Sequence, residues 1–491
     1  MHQSQPGQSD DRTSLSTVHL DGRTLEGGGQ LVRIAVALSA LTGQPIVVDH
    51  VRGNRQGKPG LKSSHAAAIN CLAEVSGSLV KGVQVGSRSF SFYPQAGQMP
   101  RNPDHERGET IESDINIALK TPGSVFLVFQ ALYPYFLHAG AFLSAPERQI
   151  TLSIVGGTNV SFSPSYDYVA QVLVPNLTRI GLPRLSVHLI RRGWVTGPCT
   201  LGKVMLIVDP LPLCDGSNKI GTFPQFPPVD LGQYQRGTIN QVEITVLAPD
   251  DPFPEEFGDD KPRSTKDPGL PPRPREDNGD SHHGTRTIRQ FVEEETARSV
   301  RDGLKKLPWW IFTSPASSSI AARTDRQDND NDIPVQVHMT EVTRHYSNLY
   351  VLIVAHTSTG FKVGHDAIWG GGKKGNSSAR QTRHKKRNAP SEIALKVKNL
   401  VERCVDGFLQ ELYDPSLRRE FGSDYVGPRQ PCVDQFCRDQ VVVFEALGRL
   451  TAEPKTDNDS GTEDERYWSL HMRTALWVCE KMLSNQAHDT I

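Results

Sequence analysis

A disulfide framework, a bias of charge and a secretion signal are not to be read in this sequence. Its seven cysteines (Cys71, Cys199, Cys214, Cys404, Cys432, Cys437, Cys479) form no CxxC pair and are odd in number, which argues against a disulfide framework and for a reducing compartment. Lys and Arg number 54 against 55 Asp and Glu, so a net charge of -1 gives no global pull toward nucleic acid or an anionic membrane. Any polyanion site is therefore a local patch. The sequence reads as free of an apolar run of the ~20 residues that a membrane helix needs. The polar start MHQSQPGQSDDRTS also lacks the apolar centre of a secretion signal, so a soluble, intracellular protein without a membrane partner is expected.

What the chain does have is length, 491 residues, enough for two to three domains. Its first half alternates strands and helices. EGGGQLVRIAVALSALTGQ places Leu31, Ile34, Leu38 and Leu41 on one helical face and stops at Gly43, a favoured C-terminal cap. PIVVDHV then reads as a strand, KSSHAAAINCLAEVSGS as a second amphipathic helix and RSFSFYP as an alternating strand. VFLVFQALYPYFLHAG and SYDYVAQVLVPNLTRIG follow as helices on either side of the strand QITLSIVGG, and SVHLIRRG and GKVMLIVDPL close this half as strands. Helix pairs recurring with short strands predict an α/β protein of layered units, with helices on one face of small sheets.

The second half is interrupted by residues 249–286, 325–332, 370–388 and 453–465, where proline, glycine, Ser/Asn and charge dominate. Such segments cannot bury enough apolar surface to offset chain entropy, and disorder is expected there. Between them INQVEITVLA and NLYVLIVAHTS read as strands, and TIRQFVEEETARSVRDGLKKL, SEIALKVKNLVERCVDGFLQELY and DQFCRDQVVVFEALGRL as helices.

Four constellations bear chemistry. EGGGQLVR (26–33) joins a strand to a helix: its glycines let a ligand approach the backbone, and the free N–H groups of the first turn favour anions, although it is neither a P-loop nor a dinucleotide fingerprint. Arg33, with Arg52 and Arg55 in VRGNRQGKPGLKSSH, forms a set able to clamp phosphates through bidentate bonds, or else ordinary surface charge. Asp439 and Gln440 lie on a helix whose apolar stripe includes Phe436 and Phe444; they are a helix flank, or they bond a nucleoside on which Phe436 stacks. His471, in SLHMRTALW, precedes the helix MRTALWVCEKML, where the macrodipole disfavours imidazolium and keeps the ring neutral and nucleophilic, unless it merely caps the helix. No metal-ligand spacing accompanies it.

Together these segments resemble the RNA 3′-terminal phosphate cyclase family, in a divergent, eukaryotic-type form with long polar insertions. LDGRTLEGGGQLVRIAVALSALTGQPI is similar to the family's opening motif, VRGNRQGKPGLKSSH to its arginine-rich segment, and IVGGTNVSFSPSYDYV to its GGT…P…DY segment. HTSTGFKVG, VDQFCRDQVVVFEAL and LHMRTALWVCEKML match later motifs in the same order. The resemblance implies repeated units of a four-stranded sheet backed by two helices, over 16–229 and 426–491, with a smaller α/β domain inserted at 230–425 and a disordered start at 1–15. It also implies use of ATP to turn RNA 3′-phosphate ends into 2′,3′-cyclic phosphates through a covalent histidine-AMP.

By motif position His471 is then the nucleophile, and Glu26 holds a divalent metal, magnesium or manganese. Gln30, Arg33, Arg52 and Arg55 bind phosphates or the RNA end, and Gln130, Pro164, Phe436, Asp439 and Gln440 fall at adenylate-binding positions. Three departures stand out: Phe436 replaces a tyrosine and cannot donate a hydrogen bond, TGPCTLGK (196–203) replaces a glycine-rich loop, and VRGNRQGKPGL has one extra residue. The rival is a cyclase-like ribosome-assembly factor, which keeps the fold and lacks the histidine. The basic run 373–387 reads as a nuclear-import signal, an RNA-contacting tail or a solvated loop, so a nuclear location, with a cytoplasmic share, is expected. Nothing in the sequence fixes the oligomeric state.

Overall fold

The computed structural model describes residues 16–55, 57–95, 113–142, 149–212, 225–254, 286–312, 333–370, 390–414, 430–450 and 468–484. The segments expected to be disordered, and the basic run, lie wholly or almost wholly outside the described residues. The chain divides into two compact units, the first comprising 1–193, 200–235 and 435–491, the second 194–199 and 236–434.

The first unit repeats one topology. In its first half β1 (Val18–Asp21), α1 (Gly29–Thr42), β2 (Ile46–Asp49), α2 (Ser63–Val75), β3 (Leu79–Lys81) and β4 (Phe90–Tyr93) form a sheet of order β1-β2-β4-β3. The next half runs β5 (Asp114–Ala118), α3 (Val125–Ala139), β6 (Ile150–Gly156), then α4 (Tyr166–Tyr168), a π turn (Val169–Leu173) and α5 (Val174–Arg179), then β7 (Leu185–Arg191) and β8 (Gly202–Val208), with order β5-β6-β8-β7. In each, the first two strands are parallel and the remaining pairs antiparallel. A parallel pair needs a crossover helix, and each crossover helix here, α1 or α3, is apolar enough to lie inside the unit. α8 (Gln435–Arg449) and α9 (Leu470–Leu483) add a third helix pair: α9 packs on α1 and α8, and α8 on α3.

Two helices depart from what their sequences suggest. α1 is not amphipathic in the fold: every residue from Gly29 to Leu41 is buried, because α2, α3 and α9 all pack around it. The stretch Val125–Phe142, read as too short for a membrane span, is long and apolar enough to pass that test, yet 83% of it is buried inside the unit as a core helix. Ser124 starts that helix by accepting from the Leu127 N–H (3.2 Å). Pro134, inside it, removes the donor that would reach the Gln130 carbonyl. The π turn gives way after Leu173 to α5, whose second residue is Pro175, tolerated there because a helix start leaves that N–H unbonded.

The second unit packs α6 (Ile288–Leu304) and α7 (Pro390–Leu412) on a sheet of order β10-β9-β11-β12, built from β9 (Ile239–Ala248), β10 (Val335–Val342), β11 (Tyr350–Thr357) and β12 (Lys362–Ile368). Its core joins Val242, Ile244 and Val246 to Val292 and Val300 of α6 and Val397, Val401 and Phe408 of α7. A capping box starts α6: the Gln290 N–H donates to Thr287 Oγ1 (3.2 Å) and the Thr287 N–H to Gln290 Oε1 (3.0 Å).

Candidate active site

The N-terminal end of α1 is the point at which distant parts of the first unit meet. Gly27 takes a left-handed φ of +57°, which turns the chain out of the strand, and Gly28 is the N-cap of α1. A methyl group on Gly29 would stand 2.5 Å from His65 Nε2 and 2.9 Å from Arg33 Nη1, so glycine is required for both side chains to lie against the helix start. Leu25, His50 and Arg52 also hold positive φ, at 52°, 49° and 58°. Three strained non-glycine residues on the two loops that carry Glu26, Arg52 and Arg55 mark a backbone shaped for something other than stability.

His471 reaches this place from the other end of the chain. It is the second residue of α9, within the first turn rather than before it, and Ser469 caps that turn by accepting from the Met472 N–H (2.9 Å). Its Nδ1 bonds Glu26 Oε2. Burial works to raise the Glu26 carboxyl, but the His471 hydrogen bond and the charges of His471, Arg55 and Arg33 outweigh it and hold the group below its ordinary value. Glu26 is thus an acceptor, Nδ1 is the donor, and a neutral ring leaves Nε2 with a free lone pair. The Glu26 backbone N–H also donates to Thr474 Oγ1 (3.2 Å), fixing the loop to α9.

The cations gather around this pair. Arg55 Nη2 lies 3.4 Å from Glu26 Oε1. Arg33 is buried, donates from Nε to Gln130 Oε1 (2.6 Å), and has its pKa lowered to about 10, chiefly by burial. Arg52 is pushed down by burial and by Arg55, and its Nη1 donates to the Lys58 carbonyl (2.7 Å), bracing its own loop.

The sequence reading did not single out Lys62 or His65. Lys62 is lowered by burial and by Arg52, Arg55 and Arg33, so it belongs to the same cluster. His65 accepts from the Lys62 N–H at Nδ1 (3.3 Å), and burial with the surrounding cations holds it well below the ordinary imidazole range, so the ring is neutral with its proton on Nε2. The only signal for His65 was its place at the end of KSSH; nothing in the spacing shows that it lies under Gly29.

α8 brings the Asp-Gln pair. Ser469 Oγ donates to Asp439 Oδ1 (2.9 Å), and Gln30 Nε2 donates to the Asp439 carbonyl (3.0 Å). Burial raises the Asp439 carboxyl to about 6 against the opposing effects of His471, Ser469 and Arg438. Gln30 Oε1 is buried with no hydrogen-bond partner among the described residues, an acceptor that a ligand donor would satisfy. Gln130, Pro164 and Gln440 line one apolar seam with Phe126, Tyr133 and Phe444, of about 30 Å³, room for about one water. A seam of that size has no room for a nucleobase. Phe436 is not part of that lining; it is 38% exposed at the start of α8 and meets Tyr168 edge to face with centroids 6.0 Å apart.

Among the described residues no group of three or more His, Cys, Asp or Glu converges as a metal cage. Glu26 fits the sparser arrangement in which one carboxylate joins substrate phosphates and water around a divalent ion. A larger cavity, about 680 Å³, lies in the second unit between α6 and α7, lined by charges of both signs such as Glu295, Arg298, Lys398 and Asp406. It contains none of the chemistry described above.

An imidazole aimed by a carboxylate, beside buried arginines and an unsatisfied amide, singles out this place as the candidate active site. An RNA 3′-terminal phosphate cyclase from Thermococcus onnurineus is 40% identical over 179 residues, 36% of this chain and 46% of its own. Counterparts of that name from Methylococcus capsulatus (35% over 196 residues, 40% of this chain and 49% of theirs) and Pyrococcus furiosus (37% over 174 residues, 35% and 44%) are similar. The chain thus matches about half the length of these curated relatives. The family model described as RNA 3′-terminal phosphate cyclase matches residues 24–488, and on that match the chain belongs to the RNA 3′-terminal phosphate cyclase family.

Proposed function

We propose that the protein uses ATP to close RNA 3′-phosphate ends into 2′,3′-cyclic phosphates, with His471 as nucleophile. The observation that supports this most is the bond from His471 Nδ1 to the Glu26 carboxylate, because it leaves Nε2 as the attacking atom. In the first transfer the Nε2 lone pair forms a bond to the α-phosphorus while the bond to pyrophosphate breaks, and Glu26 faces the positive charge that develops on the ring. In the second, an oxygen of the RNA 3′-phosphate takes the adenylate and releases the imidazole. In the third, the 2′-hydroxyl attacks the 3′-phosphorus, gives up its proton and expels AMP.

Arg33, Arg52, Arg55 and Lys62 are the residues available to hold the phosphates, and the rim formed by Gln130, Pro164 and Gln440 is available to the nucleoside. A divalent ion held by Glu26 would neutralise triphosphate charge. Incubation with α-labelled ATP and magnesium or manganese is expected to label the protein through an acid-labile, base-stable phosphoramidate that His471→Ala abolishes. Unlabelled wild-type protein would instead favour a cyclase-like factor in ribosome assembly. RNA ending in 3′-phosphate is expected to be cyclised and RNA ending in 3′-hydroxyl to be inert.

A further inference from the structure

Four non-glycine residues among those described hold positive φ: Leu25, His50 and Arg52 on the loops already discussed, and Phe162 at 61°. Phe162 is also 70% exposed. A bulky residue in the left-handed region costs on the order of 1–2 kcal/mol, and an exposed ring forgoes the gain of burial, so neither feature serves the fold. Asparagine or glycine would sit there at lower cost.

The loop that holds Phe162 is nevertheless firmly pinned. The Thr158 and Asn159 N–H groups donate to the Gly193 carbonyl (2.9 and 3.0 Å), and the Tyr166 N–H donates to the Thr158 carbonyl (3.0 Å), closing the loop. Ser163 bonds Ser124, the N-cap of the helix that carries Gln130, and Pro164 lines the seam beside Gln130 and Gln440. Two peptide units at most ~3.8 Å each separate Phe162 from Pro164, so its backbone lies close to the edge of the candidate nucleotide site. An exposed aromatic side chain on a pinned loop near the candidate site suits an unstacked base.

We propose that Phe162 is the stacking platform for the 3′-terminal nucleobase of the RNA. The inference rests on the cyclase reading, and it assigns the terminal base, not the adenine of ATP, to this ring. Phe436, at an adenylate position of the family resemblance and partly exposed, is the aromatic available to adenine.

The test is direct binding of a short 3′-phosphorylated RNA, followed by fluorescence anisotropy without ATP, alongside autoadenylation with α-labelled ATP. Phe162→Asn, which suits the left-handed backbone, is expected to leave Tm unchanged or raised while weakening RNA binding about tenfold, in the range of one lost base stack. Phe162→Trp is expected to retain binding. An RNA whose terminal nucleotide lacks its base is expected to bind wild type and Phe162→Asn alike. Equal affinity of the two proteins for the intact RNA would overturn the proposal, and so would a raised KM for ATP in autoadenylation, which would move the ring to adenine. Absence of autoadenylation in the wild type would remove the cyclase reading but leave the binding comparison to decide the role of Phe162.

Discussion

Replacing Glu26 by glutamine tests the central contact. The carboxylate and imidazole are partly buried, with side chains 18% and 26% exposed, so their bond is neither a screened surface pair nor a sealed one. A hydrogen bond to a charged group in such a setting is worth about 1.5–3 kcal/mol. Glutamine keeps a carbonyl that can accept the Nδ1 proton but loses the charge that opposes the ring's developing positive charge. At about 1.4 kcal/mol per factor of ten, single-turnover adenylation should slow by about 10- to 100-fold. Glu26→Ala, which removes the acceptor as well and frees the ring to rotate, should be slower still. Because Glu26 is also the candidate metal ligand, the rate is to be measured across a titration of magnesium or manganese. A positioning role predicts a deficit that persists at saturating metal, whereas recovery at high metal would show that Glu26 acts through the ion. A Glu26→Gln rate within threefold of wild type at every metal concentration would refute the reasoning altogether.

Gly29→Ala is expected to abolish adenylation while far-ultraviolet circular dichroism stays native, since its methyl group displaces His65 and Arg33 without touching the sheets. Asp439 ties stability to pH: its carboxyl is raised by burial from 3.8 to about 6, so the fold gains from the protonated form and loses that gain as pH rises through 6. Relative to Asp439→Asn, the wild type should lose on the order of 3 kcal/mol between pH 3.5 and 7, read by denaturant unfolding, and a flat difference would show that the group is hydrated. Asp167→Ala breaks a buried bidentate pair, in which Arg192 Nη1 and Nη2 donate to the Asp167 carboxylate at 2.8 and 2.9 Å, and should cost about 3–5 kcal/mol of stability without a direct effect on the histidine.

The units were legible where the apolar period was strong. α2, β6 and β8 follow their sequence patterns because each presents a face to a core, and α3 and β11 because their apolar runs are buried nearly throughout. β5, β10 and β12 were not read as strands. β5 is only five residues long, β10 is an edge strand with Val335 as its one buried residue, and β12 interrupts its pattern with Gly364 and His365. The burial of α1 on all sides was invisible because its polar residues Gln30, Arg33 and Ser39 look like a solvent face until the partners of the first two are known. The site was legible as motifs and not as geometry. A spacing can nominate His471 and Glu26, separated by 445 positions, but not the bond between them. Lys62 and Ser469 stand at helix starts and His65 in the first turn of α2, and apart from the place of His65 at the end of KSSH only folding shows that they meet.

The placement of this cluster also explains why so much strain is tolerated there. Arg33 and Arg55 act on one carboxylate held ionised, Glu26, with Arg52 and Lys62 coupled to the same cations, while Asp439 is raised toward the protonated form and His65 is kept neutral. Left without a ligand, such a surplus of partly desolvated cations opposes folding, and the apolar packing of α1 against α2, α3 and α9 has to offset it. On the proposed function, a polyphosphate or an RNA end would supply the missing negative charge and remove the conflict. Affinity for phosphates and local instability are then two consequences of one arrangement. The arginines can meet a phosphate without first reorganising, because the buried helix and the pinned loops have fixed them before it arrives.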